Sequence, residues 1–298
     1  MATDAPYVLI VNPSSGGGRG ARLRGPVERE LDYRHLAFRT VLATRLEHGI
    51  EEALAAAEAN ELPVVLGGDG LIGQVGGALA RTQTPLGIVP GGRGNDLARV
   101  LGIPTDPAGA VAVLAKGNRR RIDVGEVNGR RFLGIASTGF DSEANGRANR
   151  ARLVRGNLVY AYAALRTLVS WRPASFTVVL DDEQRIHHSG YSVAVANSKA
   201  YGGGMFLAPD AELDDGLFDI VLTGRVGKLR FLANLPKVFR GTHVHEDEVS
   251  VRRASRVEVR ASRPFEVYAD GEPLTELPAK LRLLRGALEV IAPPPTAA

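Results

Sequence analysis

Short β-branched runs that stop at glycine recur along the first third of the chain. Tyr7-Val8-Leu9-Ile10-Val11 reads as a first strand and runs into Asn12-Pro13-Ser14-Ser15-Gly16-Gly17-Gly18-Arg19-Gly20. A second strand is expected over 36–42. A third, Val64-Val65-Leu66, ends in Gly67-Gly68-Asp69-Gly70, and a fourth, Leu86-Gly87-Ile88-Val89, ends in Pro90-Gly91-Gly92-Arg93-Gly94-Asn95-Asp96. Apolar runs bounded in this way suit strands buried on both faces of a parallel sheet. Helices are expected between them: an arginine-rich one after the first turn, an Ala/Glu-rich one over 51–59, one over 71–79 despite its glycines, one over 97–101 capped by Asn95 or Asp96, and Pro107–Lys116 with proline in its first turn. This alternation predicts a doubly wound α/β domain with a parallel sheet. Three strands end in glycine-rich turns, so those turns should gather at the carboxyl edge, where open α/β sheets bind ligands.

The pattern changes near Arg121. Residues 122–127 and 130–136 flank Asn128-Gly129, a favoured two-residue hairpin turn. An apolar, aromatic helix follows over 158–171. Its Tyr160, Tyr162, Leu165 and Leu168 either line a pocket or pack in the core. Strands then dominate, over 175–180, 191–196, 217–222, 257–259, 264–269 and 281–284, with one helix over 226–240. Such spacing predicts a β-rich, sandwich-like second domain with a few helices. The expected division is 1–121, 122–290 and a loose tail over 291–298, with the cleft between the domains as the default site.

Composition narrows the functional classes. The 298 residues are 44% hydrophobic and contain no cysteine, which excludes disulfides and thiolate metal sites. No uncharged apolar run approaches the roughly 18–20 residues of a membrane span, and the first residues lack the pattern of a signal peptide. The net charge of +4 favours anionic partners.

The glycine turns carry the candidate chemistry. A strand, a glycine turn and a helix start present backbone N–H groups and the positive end of a helix dipole to a phosphate. Asp69 repels phosphate unless Mg²⁺ stands between them; alternatively it only caps its helix. Gly16-Gly17-Gly18-Arg19-Gly20-Ala21 fits a dinucleotide fingerprint, but the second strand ends at Leu42-Ala43-Thr44 without the acidic residue such a site needs. The Walker lysine is absent too. Asp270-Gly271-Glu272 is either a plain turn or part of a site. Ala208 through Asp219 carries Asp210, Glu212, Asp214 and Asp215 before a strand, as a hard-cation loop or a solvated turn. His187, His188, His243 and His245 read as surface residues, and Arg252, Arg253, Arg256, Arg260 and Arg263 as a solvated strand face that can also meet an anionic membrane.

In order, Asn12-Pro13-Ser14-Ser15-Gly16, Gly67-Gly68-Asp69-Gly70, Pro90-Gly91-Gly92-Arg93-Gly94-Asn95-Asp96, Leu213-Asp214-Asp215-Gly216 and Asp270-Gly271-Glu272 resemble the soluble bacterial diacylglycerol kinase family, which is related to sphingosine and ceramide kinases. The resemblance implies a nucleotide-binding domain followed by a lipid-binding β-rich domain, and ATP with Mg²⁺ as cofactors. It places ATP around Asn12 to Gly16, Thr44, Gly67 to Gln74, and Gly92, Arg93 and Asn95. It implies a general base at Glu272, with Asp69, Asp96 and Asp270 in the catalytic group. A structural Mg²⁺ would sit at Asp215 with the backbone oxygens of Glu212 and Leu217. The expected partner is a lipid at an anionic membrane surface, not nucleic acid, for a cytoplasmic protein peripheral at the inner membrane face; a homodimer is compatible. Leu71 and Arg93 stand where the family carries threonines, and Gln74 where glutamate is common. The alternatives are a non-catalytic nucleotide- or lipid-binding protein and an NAD kinase-like enzyme.

Overall fold

The computed structural model describes residues 5–150 and 158–295. The first domain runs β1 (Tyr7–Val11), α1 (Ser15–Tyr33), β2 (Phe38–Leu42), α2 (Leu46–Glu58), β3 (Leu62–Gly67), α3 (Asp69–Leu79), β4 (Gly87–Pro90), α4 (Asp96–Val100) and α5 (Pro107–Lys116). Its sheet is parallel throughout, in the order β2-β1-β3-β4. Every residue of β1, β3 and β4 is buried, as continuous apolar runs between two helix layers require. Because β3 lies between β1 and β4, with Val11 opposite Leu66 and Gly67 opposite Pro90, the three glycine turns emerge side by side.

The second domain contains β5 (Arg119–Val127), β6 (Arg130–Phe132), β7 (Ile135–Gly139), α6 (Phe140–Arg150), α7 (Leu158–Ser170), β8 (Ala174–Leu180), β9 (Gln184–Ala196), β10 (Phe218–Gly224), α8 (Lys228–Val238), β11 (Val249–Ala254), β12 (Arg256–Ala261), β13 (Glu266–Ala269), β14 (Glu272–Glu276) and β15 (Ala279–Ile291). Asn128 and Gly129, both at positive φ, make the β5–β6 turn, as the dipeptide predicts. The sandwich-like expectation holds with a different wiring: one eleven-stranded antiparallel network. The long β9 pairs with β8 through its first half and with β7 and β10 through its second, so one strand serves both layers over a shared core. The helix α6 was not expected, because its polar residues give no continuous apolar stripe.

Strand β15 ties the two halves together. Its first residues pair with β12. Its last ones reach the first domain, where Leu288, Val290 and Ile291 join that core and Ile291 N donates to Leu86 O at 2.9 Å. Ile291 and Ala292, expected in a loose tail over 291–298, are both buried, and Ala292 donates its N–H to Asn118 O at 3.0 Å; residues 296–298 lie outside the described part.

The expected pocket stripe on α7 is not realised. Leu168 is buried in the core of the second domain, whereas Tyr162 and Leu165 are exposed; the side chain of Tyr160 lies outside the described residues. His243 is a further correction. It is buried, with Nε2 at 3.1 Å from Leu207 O, because the 3-10 turn Thr242–His245 folds it under the chain. His188 is half-buried against Phe176, with Nε2 at 3.0 Å from Thr223 O.

Candidate active site

The three glycine turns interlock so closely that side chains would not fit. A Cβ on Gly92 would lie 2.6 Å from Gly68 Cα, and one on Gly16 would lie 2.7 Å from Gly91 O. Ser15 Oγ closes the gap by donating to Gly91 O at 3.3 Å. Asn12 Oδ1 accepts from Ser14 N at 3.0 Å and Ser14 Oγ at 2.8 Å, which fixes the first turn. Gly16, Gly17 and Gly18 then run through positive φ, so the first turn of α1 is not helical. Asn95 is also left-handed; it does not cap α4 with its side chain but folds back to Gly92, accepting from its N–H at 2.8 Å.

The glycines of α3 have a different cause. Gly70, Gly73, Gly76 and Gly77 face the second domain. A Cβ on Gly73 would meet Asp270 Oδ2 at 2.6 Å, one on Gly76 would meet Leu133 at 2.6 Å, and one on Gly77 would meet Arg131 at 3.0 Å. The same face holds Glu272 Oε1 at 3.5 Å from the Cβ position of Gly70. Thus α3 keeps its apolar side for the first core and a bare backbone for the β13–β14 turn.

Four carboxylates reach this seam. Asp96 is buried and accepts from Gly203 N at 2.8 Å and Gly204 N at 2.7 Å. Burial pushes its carboxyl above the usual range, with Asp69 adding to the effect and the two amides opposing it. Asp270, in a left-handed conformation, accepts from Leu133 N at 2.8 Å and Gly134 N at 2.9 Å. Burial is also the main reason its carboxyl is pushed up to about 6, with Asp69 and Asp96 adding to it. Asp69 Oδ1 accepts from Leu97 N at 3.3 Å, so it also helps to start α4. Glu272 is raised by burial and remains solvent-accessible.

These groups belong to the lining of a cavity of about 640 Å³. The glycine turns and acids contribute Ser15, Gly16, Gly68, Asp69, Gly70, Gly92, Arg93, Asp96, Asp270 and Glu272. The second domain adds apolar side chains, Phe140, Leu207, Phe231, Leu235 and Val238. Residues 231, 235 and 238 come from one face of α8, at helical spacing. Among the described lining residues Arg93 is the only lysine or arginine, and its guanidinium stands 3.6 Å from the Cβ position of Gly17.

Several expected site residues lie elsewhere. Asn12, Pro13, Ser14 and Gly67 belong to the interlocked turns, while Thr44 and Gln74 line no part of the cavity. Leu71 is buried behind the turn, against the Cβ positions of Gly49 and Gly67, so it packs the core and does not face the cavity. The acidic loop sits beside β5 and β15. Asp215 Oδ1 accepts from Leu217 N at 2.9 Å, its other oxygen is held by the Arg253 guanidinium, and Arg285 bonds its carbonyl at 3.1 Å. Arg253 is therefore not simply part of a solvated face. Among the described residues no three histidines or carboxylates converge to hold a metal. Two residues that the sequence did not single out matter here. Buried Asp123 clamps Gly216 N at 2.7 Å and Gly286 N at 2.6 Å, joining the acidic loop to β15. Asp141 lines the cavity at the start of α6; burial pushes its carboxyl to about 6, against a hydrogen bond from Ser192. A lone Asp gives no sequence signal in either place.

Comparison with known proteins agrees with this geometry. Residues 6–127 match the family model of the diacylglycerol kinase catalytic domain, and residues 134–292 match that of the YegS C-terminal NAD kinase beta sandwich-like domain. A diacylglycerol kinase of Mycobacterium tuberculosis is 36% identical over 292 residues, covering 95% of this chain and 94% of its own. One from Bacillus subtilis is 30% identical over 293 residues, covering 96% and 95%. The fold is shared with the crystal structure of a diacylglycerol kinase from Bacillus anthracis, with a TM-score of 0.76 at 22% identity over 98% of each chain. It is shared more distantly with an NAD kinase from Archaeoglobus fulgidus solved with ATP, with a TM-score of 0.53 at 15% identity over 96% of this chain and 93% of that one. An ATP-dependent kinase that phosphorylates lipid alcohols accounts for both the seam and the apolar side chains that line the same cavity, and the chain belongs to the diacylglycerol kinase family.

Proposed function

We propose that the chain transfers the γ-phosphoryl group of ATP to the free hydroxyl of a diacylglycerol-type lipid, giving a phosphatidic acid. The observation that carries this reading is the mixed lining of one cavity, in which glycine turns and carboxylates meet the apolar side chains of Phe140, Leu207, Phe231, Leu235 and Val238. Phosphates would lie on the backbone amides of the turns, with Arg93 as the cationic side chain at hand. Mg²⁺ would enter with ATP and supply charge neutralisation, and Asp69 is the carboxylate suited to face it. Glu272 takes the hydroxyl proton as the lipid oxygen bonds to the γ-phosphorus and the bond to ADP breaks. Its burial raises its basicity for that step. Asp96 and Asp270 each bind two backbone N–H groups, so they position the loop and the turn that carry the reacting groups.

At Glu212, Asp215 and Leu217 the donors are oxygens, which suits a hard cation. A resident ion there has to displace the guanidinium of Arg253, and no step is routed through it.

Membrane docking is supported by an exposed apolar rim. Leu165 and Val169 of α7, with Leu229 and Phe239 at α8, are exposed beside Arg166, Lys228 and Arg230. Lys228 Nζ donates to Val169 O at 2.7 Å and joins the two helices. Apolar and basic groups together favour an anionic lipid surface. Among the described residues no helix is long and apolar enough to cross a membrane.

Labelled ATP, Mg²⁺ and diacylglycerol in micelles with anionic phospholipid test the reading. Labelled phosphatidic acid is the expected product. Label transferred only to NAD, or to no lipid in the panel, overturns it.

A further inference from the structure

The acidic loop concentrates charge that the fold has to balance. It carries Asp210, Glu212, Asp214, Asp215 and Asp219 within a few residues. Asp219, at the start of β10, is buried, and its Oδ2 has no hydrogen-bond partner among the described residues. Asp210 and Glu212 stand within electrostatic reach of it. Like charges gathered where water is scarce repel, so such a loop holds its shape only with a cation at hand. The chain brings its own. Arg253 lies directly opposite Asp219 in the β10–β11 ladder, so strand register puts its side chain on the same face as that carboxylate. Arg253 Nε is 3.7 Å from Asp219 Oδ2, and its Nη2 contacts Asp215 Oδ2. One guanidinium thus bridges two carboxylates, a task for which its planar fork suits it.

Two further arginines reach the loop from other strands. Arg285 of β15 donates to Asp215 O at 3.1 Å, and its guanidinium leaves no room for a Cβ on Gly216. Arg120 of β5 stands 3.9 Å from Asp214 Oδ2. Every acceptor of Asp215 is therefore engaged: Oδ1 by Leu217 N, Oδ2 by Arg253 and the carbonyl by Arg285. A divalent ion placed on Asp215 would meet a guanidinium that repels it.

We propose that Arg253 is the resident cation of the acidic loop, taking the place of a structural divalent ion, so that this chain keeps the loop folded without metal there. The proposal stands apart from the lipid-kinase reading. Arg253 does not line the cavity, so its role is read in stability and metal content, not in turnover.

The test uses nucleotide-free protein, because ATP brings its own Mg²⁺. Bound metal is counted by atomic emission after desalting, and thermal unfolding is followed before chelation, after chelation and with added Mg²⁺ or Ca²⁺. Wild type is expected to carry no stoichiometric ion and to melt at the same temperature before and after chelation. Arg253→Met keeps the stem and drops the charge. After chelation it should melt about 4–8 °C below wild type, and added divalent ions should raise its melting temperature by more than they raise that of wild type. If the variant folds poorly, its refolding yield with and without the ions gives the same comparison. A stoichiometric ion in wild type, or wild-type melting that falls on chelation, overturns the proposal whether or not the variant folds. So does a variant that melts like wild type after chelation, or one that gains no more from divalent ions than wild type does.

Discussion

Burial pushes the carboxyls of Asp270 and Asp141 both to about 6, yet the two are built differently. At the transfer end, Asp270 binds two backbone N–H groups, as does Asp96. At the start of α6, Asp141 keeps one oxygen without a partner among the described residues. The same burial therefore has two meanings. A carboxylate fully bonded to backbone is part of the scaffold, and its position matters more than its charge. A carboxylate with a buried oxygen left without a partner costs the fold stability.

The largest effect should come from Glu272, the transfer-end acid that stays solvent-accessible and is not tied to backbone amides. Glu272→Gln should lower the lipid-phosphorylation rate by about 10²–10⁴-fold while ATP binding by calorimetry stays close to wild type. A near-wild-type rate would return Asp270-Gly271-Glu272 to an ordinary turn.

The two buried acids should respond oppositely to the same substitution. Asp270→Asn places an amide donor against the N–H of Leu133 or Gly134 and should destabilise the protein by about 1–3 kcal/mol. Asp141→Asn removes an open charge and should raise the melting temperature at pH 7.5 by roughly 2–4 °C. Between its ordinary value of 3.8 and about 6, the folded protein keeps a proton on Asp141 that the unfolded chain has already released. Stability from this group thus falls as pH rises through that window and is fully lost above about 6. The gain from Asp141→Asn should accordingly shrink on acidification and vanish near pH 4. Thermal unfolding across pH decides this, and destabilisation by Asp141→Asn at pH 7.5 would erase the contrast.

The smallest effect concerns the rim. Leu229 is 84% exposed on α8. Leu229→Glu should weaken sedimentation with anionic vesicles by a few-fold, about 1 kcal/mol, without changing the melting temperature. Unchanged vesicle binding would remove α8 from the docking face.

Much of the first domain was legible because its signals are local. β-branched runs, glycine turns and a proline at a helix start act within a few residues, and β1 and α5 begin and end where their patterns do. The parallel sheet follows from strand–helix alternation, and the gathering of the turns follows from the sheet. The second domain was legible as strands but not as wiring, because β9 and β15 change partners along their length and no residue marks where. The motifs announced Asp69, Arg93, Asp96 and Glu272 at the site. They did not reveal that Asp96 and Asp270 bind backbone, that Leu71 turns into the core, or that Asp215 is met by Arg253.

The sequence by itself determined the parallel nucleotide-type domain, the positions of its glycine turns and the family resemblance, since each rests on short-range backbone preference or on motif order. Only the tertiary structure decided why α3 carries glycines, how Asp270 is held, and where Asp141, His243 and Glu248 meet one cavity. Asp141 stands more than a hundred positions before His243, and the burial that gives such groups their chemistry exists only once the chain has folded.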